Sequence, residues 1–133
     1  MVDTVTQVAE NNTIEQKVVP LPQEEDVIRL FFELINEKRI PEAISMMSTE
    51  MAGDDSQKQA WGVQFNAFSV VGVKSVDKEE NGLYKVVLEV EMDPKSAGAV
   101  IPFYGYDNGE NTRWVSLEKE NELYKISGIA TGR

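Results

Sequence analysis

Residues 114–129 read W-V-S-L-E-K-E-N-E-L-Y-K-I-S-G-I, and the way this stretch pairs with itself decides the fold. Two short apolar-rich runs flank a polar turn, the pattern of a β-hairpin. A two-residue turn at Asn121-Glu122 sets Glu120 opposite Leu123, Lys119 opposite Tyr124, Glu118 opposite Lys125 and Leu117 opposite Ile126. Continued without interruption, the ladder sets Val115 against Gly128 and Trp114 against Ile129. Opposed charged or apolar pairs of this kind contribute ~0.2–1 kcal/mol each. One face then carries Val115, Leu117, Tyr124 and Ile126 and reads as core. The other is charged near the turn, with Glu118 and Lys125, and apolar at its far end, with Trp114 and Ile129. Glu122 falls where the turn prefers glycine. The apolar end of the second face is expected to meet something outside the core, since burying such side chains is worth ~1.5–3 kcal/mol each.

Upstream the same period of two continues. Ser69–Val76 reads as a strand and Leu83–Met92 as another, joined through Asn81-Gly82, a strong turn pair. In the second, Tyr84, Val86, Leu88, Val90 and Met92 share one face, and Lys85, Val87, Glu89 and Glu91 the other. A-V-I-P-F-Y-G-Y, residues 99–106, is expected to be a third strand, with Pro102 marking an edge or a bulge. Asp93-Pro94 ends the second strand.

Before Phe68 the period is helical. Glu24 to Arg39 is expected to form one helix, with Val27, Phe31, Leu34 and Lys38 in a stripe. Ile28, Phe32 and Ile35 widen the stripe on one side and Leu30 on the other. Acids in its first turn and Lys38 and Arg39 in its last suit the helix dipole. Pro41 opens a second helix, residues 40–51, with Ile44, Met47 and Met51 on one face. Methionines there can line a pliable groove, although filling a core is their commoner role. A third helix, residues 54–68, is capped by Asp55 or Ser56 and carries Trp61, Phe65 and Phe68 in an aromatic stripe. Gly62 weakens it by about 1 kcal/mol and leaves room for a close neighbour.

The chain has 133 residues, the size of one domain, and is 41% hydrophobic. No apolar run approaches the ~18 residues of a membrane-spanning helix. The net charge of −10 argues against nucleic acid and anionic membranes as partners. Without Cys or His, thiol chemistry, Ser-His-Asp triads and thiolate or imidazole metal sites are excluded. There is no phosphate-binding glycine loop and no D-x-D-x-D-G calcium loop, so neither a cofactor nor a metal is expected. Residues 1–22, polar and ending in P-L-P, read as a flexible tail or linker, and residues 23–133 as a single domain. Val2, Val5 and Val8 have helical spacing, and Asn11-Asn12-Thr13 matches a glycosylation sequon. The tail resembles the spacer behind the anchor of bacterial lipoproteins. Extracytoplasmic location, with a signal or lipid anchor removed ahead of Met1, is therefore expected, the alternative being the cytoplasm.

Helices followed by a strand meander imply an α+β fold, N-terminal helices packed on a curved, mainly antiparallel sheet of four or more strands. Three stretches, "VIRLFFELINEKRIPEAISMM", "WGVQFNAFSVVGVKSV" and the terminal hairpin with its aromatic-Lys-Ile triplet Tyr124-Lys125-Ile126, resemble the nuclear transport factor 2-like superfamily over residues 23–133. The resemblance implies a cone-shaped α+β domain, a small-molecule pocket at the open end and a dimer through the outer sheet face. Enzymes of that superfamily use an Asp base or His-Asp machinery in the pocket. This chain has no His, and no Asp matches the catalytic position.

The expectation is a non-catalytic binding or assembly domain, homodimeric through its sheet face, taking a small apolar ligand or a peptide. The alternative is an isomerase or dehydratase with a pocket carboxylate as base. The candidate ligand or interface residues are Trp61, Phe65, Tyr104, Tyr106, Arg113 and Trp114, because aromatics beside one Arg make binding mouths and interface anchors. No residue is singled out as catalytic. A peptide lying along the edge near Pro102 is a third reading.

Overall fold

The computed structural model describes residues 23–132; the expected tail, with its valines and its sequon, lies outside the described residues. Helix α1, Glu24–Asn36, buries Val27, Ile28, Phe31, Phe32, Leu34 and Ile35, the broad face expected of it. It stops three residues before Arg39 because Lys38 turns left-handed, with φ 64°. The N–H of Arg39 then donates to Leu34 O at 2.8 Å and that of Lys38 to Ile35 O at 3.0 Å, closing the helix in a Schellman motif. Lysine is strained there by ~1–2 kcal/mol. Its Nζ offsets this by donating to the carbonyls of Asn66 and Phe68. Lys38 is thus a clamp on the next layer and not part of the helical stripe.

The expected second helix is two. Helix α2, Ile40–Ser45, has Pro41 in its first turn. Met46 closes α2 in a helical conformation, and the chain becomes extended only by Ser48. Ser48 N–H donates to Ile126 O at 2.7 Å, and Ile126 N–H to Met46 O at 2.9 Å. Ser48 next caps the one-turn helix α3, Thr49–Ala52. Helix α4, Asp55–Asn66, is capped by Asp54, one residue earlier than expected, in a reciprocal box with Gln57. Its end at Asn66 leaves Phe68 outside the helix, at the start of a strand.

The sheet is an antiparallel meander of four strands in the order β1 (Phe68–Lys78), β2 (Tyr84–Met92), β3 (Gly109–Glu120) and β4 (Leu123–Ala130). It is an α+β fold with the helices before the sheet. All five inward residues of β2 are buried, as its alternation implies. The expected strand over residues 99–106 does not form. Asp93 caps a 3-10 turn, Pro94–Gly98, and Pro102–Gly105 makes a second tight turn with Phe103 and Tyr104 left-handed. The loop's anchoring shows the reason: a buried Asn111 side chain holds Asp107, and Arg113 holds Gly105, so the chain crosses from β2 to β3 as a loop.

The terminal hairpin turns at Asn121-Glu122 as expected, and its first four pairs match. Beyond Leu117 the register shifts by one, giving Ser116↔Gly128, Val115↔Ile129 and Trp114↔Ala130. The extra residue, Ser127, turns to the outer face, where its hydroxyl donates to Ser116 Oγ at 3.0 Å. Ile129 is carried from the outer face, where uninterrupted pairing would put it, to the core side beside Val115.

The core fills the space between α1 and the sheet. Phe31, Phe32, Ile35, Val86, Leu88, Val115 and Ile126 are all at most 2% exposed. Phe31 meets Phe32 and Phe65 edge to face, with centroids 5.1 and 5.6 Å apart. No helix among the described residues is long and apolar enough to cross a membrane.

Candidate functional site

The six residues expected to mark a site fall into four places. Phe65 is core, and Trp61 stacks on it at 5.4 Å while its indole N–H donates to Met51 O at 3.0 Å. Together they fasten α4, whose other outward positions are polar or exposed. Tyr106 and Arg113 do meet, but inside the protein. The Arg113 guanidinium lies 4.1 Å from the Tyr106 ring centroid, and that ring meets Phe68 edge to face at 4.8 Å. The same guanidinium donates to Gly105 O at 2.7 Å and Thr112 O at 2.8 Å. Burial pushes the Tyr106 hydroxyl's ionisation upward, against the opposing pull of Arg113. This is a loop anchor with its donors committed to carbonyls, not an open mouth. Tyr104, half-buried, lines a small cleft of about 250 Å³ with Val63, Asn66 and Ser96.

Trp114 stands alone of the six on the outer sheet face, half-buried, with its indole N–H 3.3 Å from Glu79 Oε1. The bulge has replaced Ile129 at its side with Ala130, so the apolar end of that face is smaller than expected. Val87 and Thr112 pair on the same face, and Lys74 bridges Glu110 at 3.0 Å and Glu89 at 3.7 Å across three strands nearby.

A larger concavity than the cleft at Tyr104 lies elsewhere, between α2, α3, α4 and the tip of the last hairpin. It is an open groove of about 1030 Å³. Ile40, Ile44, Met47, Ala52, Gly62 and Val63 supply its apolar surface. Asp55, Lys58, Glu120 and Lys125 supply its charges, two of each sign. Two of these are engaged in holding the walls together. The Glu120 carboxylate accepts from Thr49 N–H at 2.8 Å and Thr49 Oγ1 at 3.0 Å, and Lys125 Nζ donates to Ser45 O at 2.8 Å. A hint of this groove lay in the face shared by Ile44, Met47 and Met51, which could line a pliable surface, and the first two of them do line it. Met47 does both jobs: it is 3% exposed in the core and contributes to the groove's wall.

No Asp or Glu among the described residues is buried, and none forms a cluster able to hold a metal ion. Gly62 does not need to be glycine for room, since a Cβ there would sit 3.9 Å from Ile40 Cγ2, an ordinary contact. Comparison with models of known protein families finds no match, and comparison with curated proteins finds none either.

Proposed function

We propose that this chain is a non-catalytic binding domain and that the groove between α2, α3 and α4 receives an apolar ligand or peptide segment. The groove itself carries the reading. At about 1030 Å³ it stands at the upper end of the roughly 300–1,000 Å³ of ordinary small-molecule pockets, and it is open to solvent, which suits an extended occupant. Its apolar floor supplies affinity, and its balanced rim favours neither a strongly acidic nor a strongly basic ligand. The alternative, a carboxylate base in an enclosed pocket, has less support: Glu120 is tied to Thr49, and Asp55 is exposed at the start of α4. A general base gains its strength from burial or from a neighbouring charge. The packed space between α1 and the sheet leaves the groove as the better place for a ligand.

Titration with Nile red, a neutral apolar dye, tests the reading. Wild-type protein is expected to raise the dye's fluorescence. Val63→Glu, at a position 55% exposed, is expected to weaken binding about tenfold without lowering the melting temperature. Unchanged dye binding in that variant sinks the groove as a binding site. A second reading, self-association through the outer sheet face, rests on the half-buried Trp114 beside Val87 and Thr112. It predicts that Trp114→Ala reduces the mass in solution.

A further inference from the structure

Resting on the groove reading above, we infer that the groove's occupant is the loop tip Ala99–Pro102 of a second copy of this chain, each copy seating its tip in the other. The tip is apolar and outward. Val100 is 102% exposed and Ile101 62%, and Pro102 is exposed beside them. It is also held firmly at both ends. Asp93 N–H donates to Ala67 O at 2.7 Å and Ser96 Oγ to Asp93 O at 2.7 Å on the entering side. On the leaving side Arg113 fixes Gly105 O, and Tyr106 is buried beneath it. Phe103, Tyr104 and Gly105 are three successive left-handed residues, with φ of 55°, 53° and 85°. Two bulky aromatics in that region are costly, and such strain concentrates where a loop must hold a particular shape for binding. A tip presented this way loses little further freedom on docking.

Charge selects the occupant. The chain carries −10, so two copies repel over most of their surfaces. The loop S-A-G-A-V-I-P-F-Y-G-Y, residues 96–106, carries no charge. The groove's rim carries two acids and two bases. Tip and groove are therefore surfaces that a second acidic copy can bring together with little repulsion, and both are apolar. They are also neighbours. Val63 and Asn66 line both the groove and the small cleft beneath the loop at Ser96 and Tyr104. With a knob and its socket side by side on one flank, a two-fold axis engages both at once and closes the assembly as a dimer.

Sedimentation equilibrium of the full chain over a concentration series tests this. Wild type is expected to pass from monomer to dimer by about 100 µM, a weak but specific association. Ile101→Glu and Val63→Arg are each expected to weaken the dimer about tenfold or more. Mixing the two variants is expected to recover association, because the mixed pair keeps one intact tip and one intact groove. Val100→Asp provides a second tip variant, with circular dichroism checking that each variant is folded. A wild-type mass that stays monomeric overturns the inference. So does a dimer that Trp114→Ala dissociates and Ile101→Glu does not. If Nile red binding remains sensitive to Val63→Glu while mass is indifferent to Ile101→Glu, the groove stands as a ligand site and the second copy is not its occupant. If dye binding also ignores Val63→Glu, the groove reading falls with it.

Discussion

Asn121 and Glu122 hold φ of 53° and 71°, the left-handed pair that a tight hairpin turn needs to match strand twist. Asparagine tolerates this, but glutamate does not do so cheaply. Glu122 is exposed, so Glu122→Gly is expected to stabilise the fold by ~0.5–1 kcal/mol, read as a higher urea midpoint with an unchanged slope. Arg113 predicts the opposite sign. It stacks on Tyr106 and bonds two carbonyls at 8% exposure, so Arg113→Ala leaves Gly105 O without its partner and opens space beside the ring. The expected loss is roughly 2–3 kcal/mol in the same assay. Arg113→Lys is expected to recover only part of it, because an ammonium cannot reproduce the flat stacking of the guanidinium. Both residues were visible in the sequence, the first as a misfit in a turn and the second as a lone Arg near tyrosines. What could not be read was how an arginine could be accommodated on the inward side. Its alternation with Val115 places it on the core side, and only the buried carbonyls and Tyr106 make that position tenable.

Elements were most legible where one physical term dominates. In β2, five inward apolar residues alternate with polar or half-exposed ones, and every position falls on its expected face. Residues 99–106 have strand-like composition as well, but Pro102, three left-handed residues and side-chain bonds from Asn111 and Arg113 hold them as turns. Long-range bonds of that kind leave no local period to detect. The β4 bulge is a similar case. Nothing in the run Ile126-Ser127-Gly128-Ile129 distinguishes a regular ladder from a shifted one until Val115 competes for Ile129 as a core neighbour. The shift is testable: Ile129→Ala is expected to cost ~1–2 kcal/mol, whereas an outward Ile129 would cost little. Helix α4 supplies a second element-level test. Gly62 lies within it with space for a methyl group, so Gly62→Ala is expected to add up to ~1 kcal/mol of stability through helix propensity. An equal or lower melting temperature would mean that the Ile40 contact is tighter than 3.9 Å allows.

At the scale of the whole molecule, the helical layer and the sheet are joined at α1's first turn by a small polar group set over buried tyrosine. Lys78 Nζ lies 3.5 Å from Glu24 Oε1 and 5.8 Å from the centroid of the Tyr84 ring. Burial first, then the hydrogen bond and charge of Glu24, hold the Tyr84 hydroxyl protonated well above the ordinary tyrosine range. Tyr106 is shifted the same way by burial, with Arg113 opposing. Each phenol keeps its proton in the folded chain at a pH where the unfolded chain has begun to lose it. The unfolded state then binds fewer protons, so stability declines as pH increases. This contribution is whole below about pH 10, the unfolded value, and is lost as pH rises through the folded ones. The titratable groups facing Tyr84, namely Glu24, Tyr124, Glu25 and Lys78, shape the absolute curve, so the informative quantity is a difference between variants. Wild type minus Tyr84→Phe, measured as urea midpoints, is expected to stay constant up to about pH 10 and then shrink, because phenylalanine has no proton to lose. A difference that stays level to higher pH would mean that the phenol ionises as readily in the folded chain as in the unfolded one. The seam between α1 and the sheet would then be open to water at Tyr84.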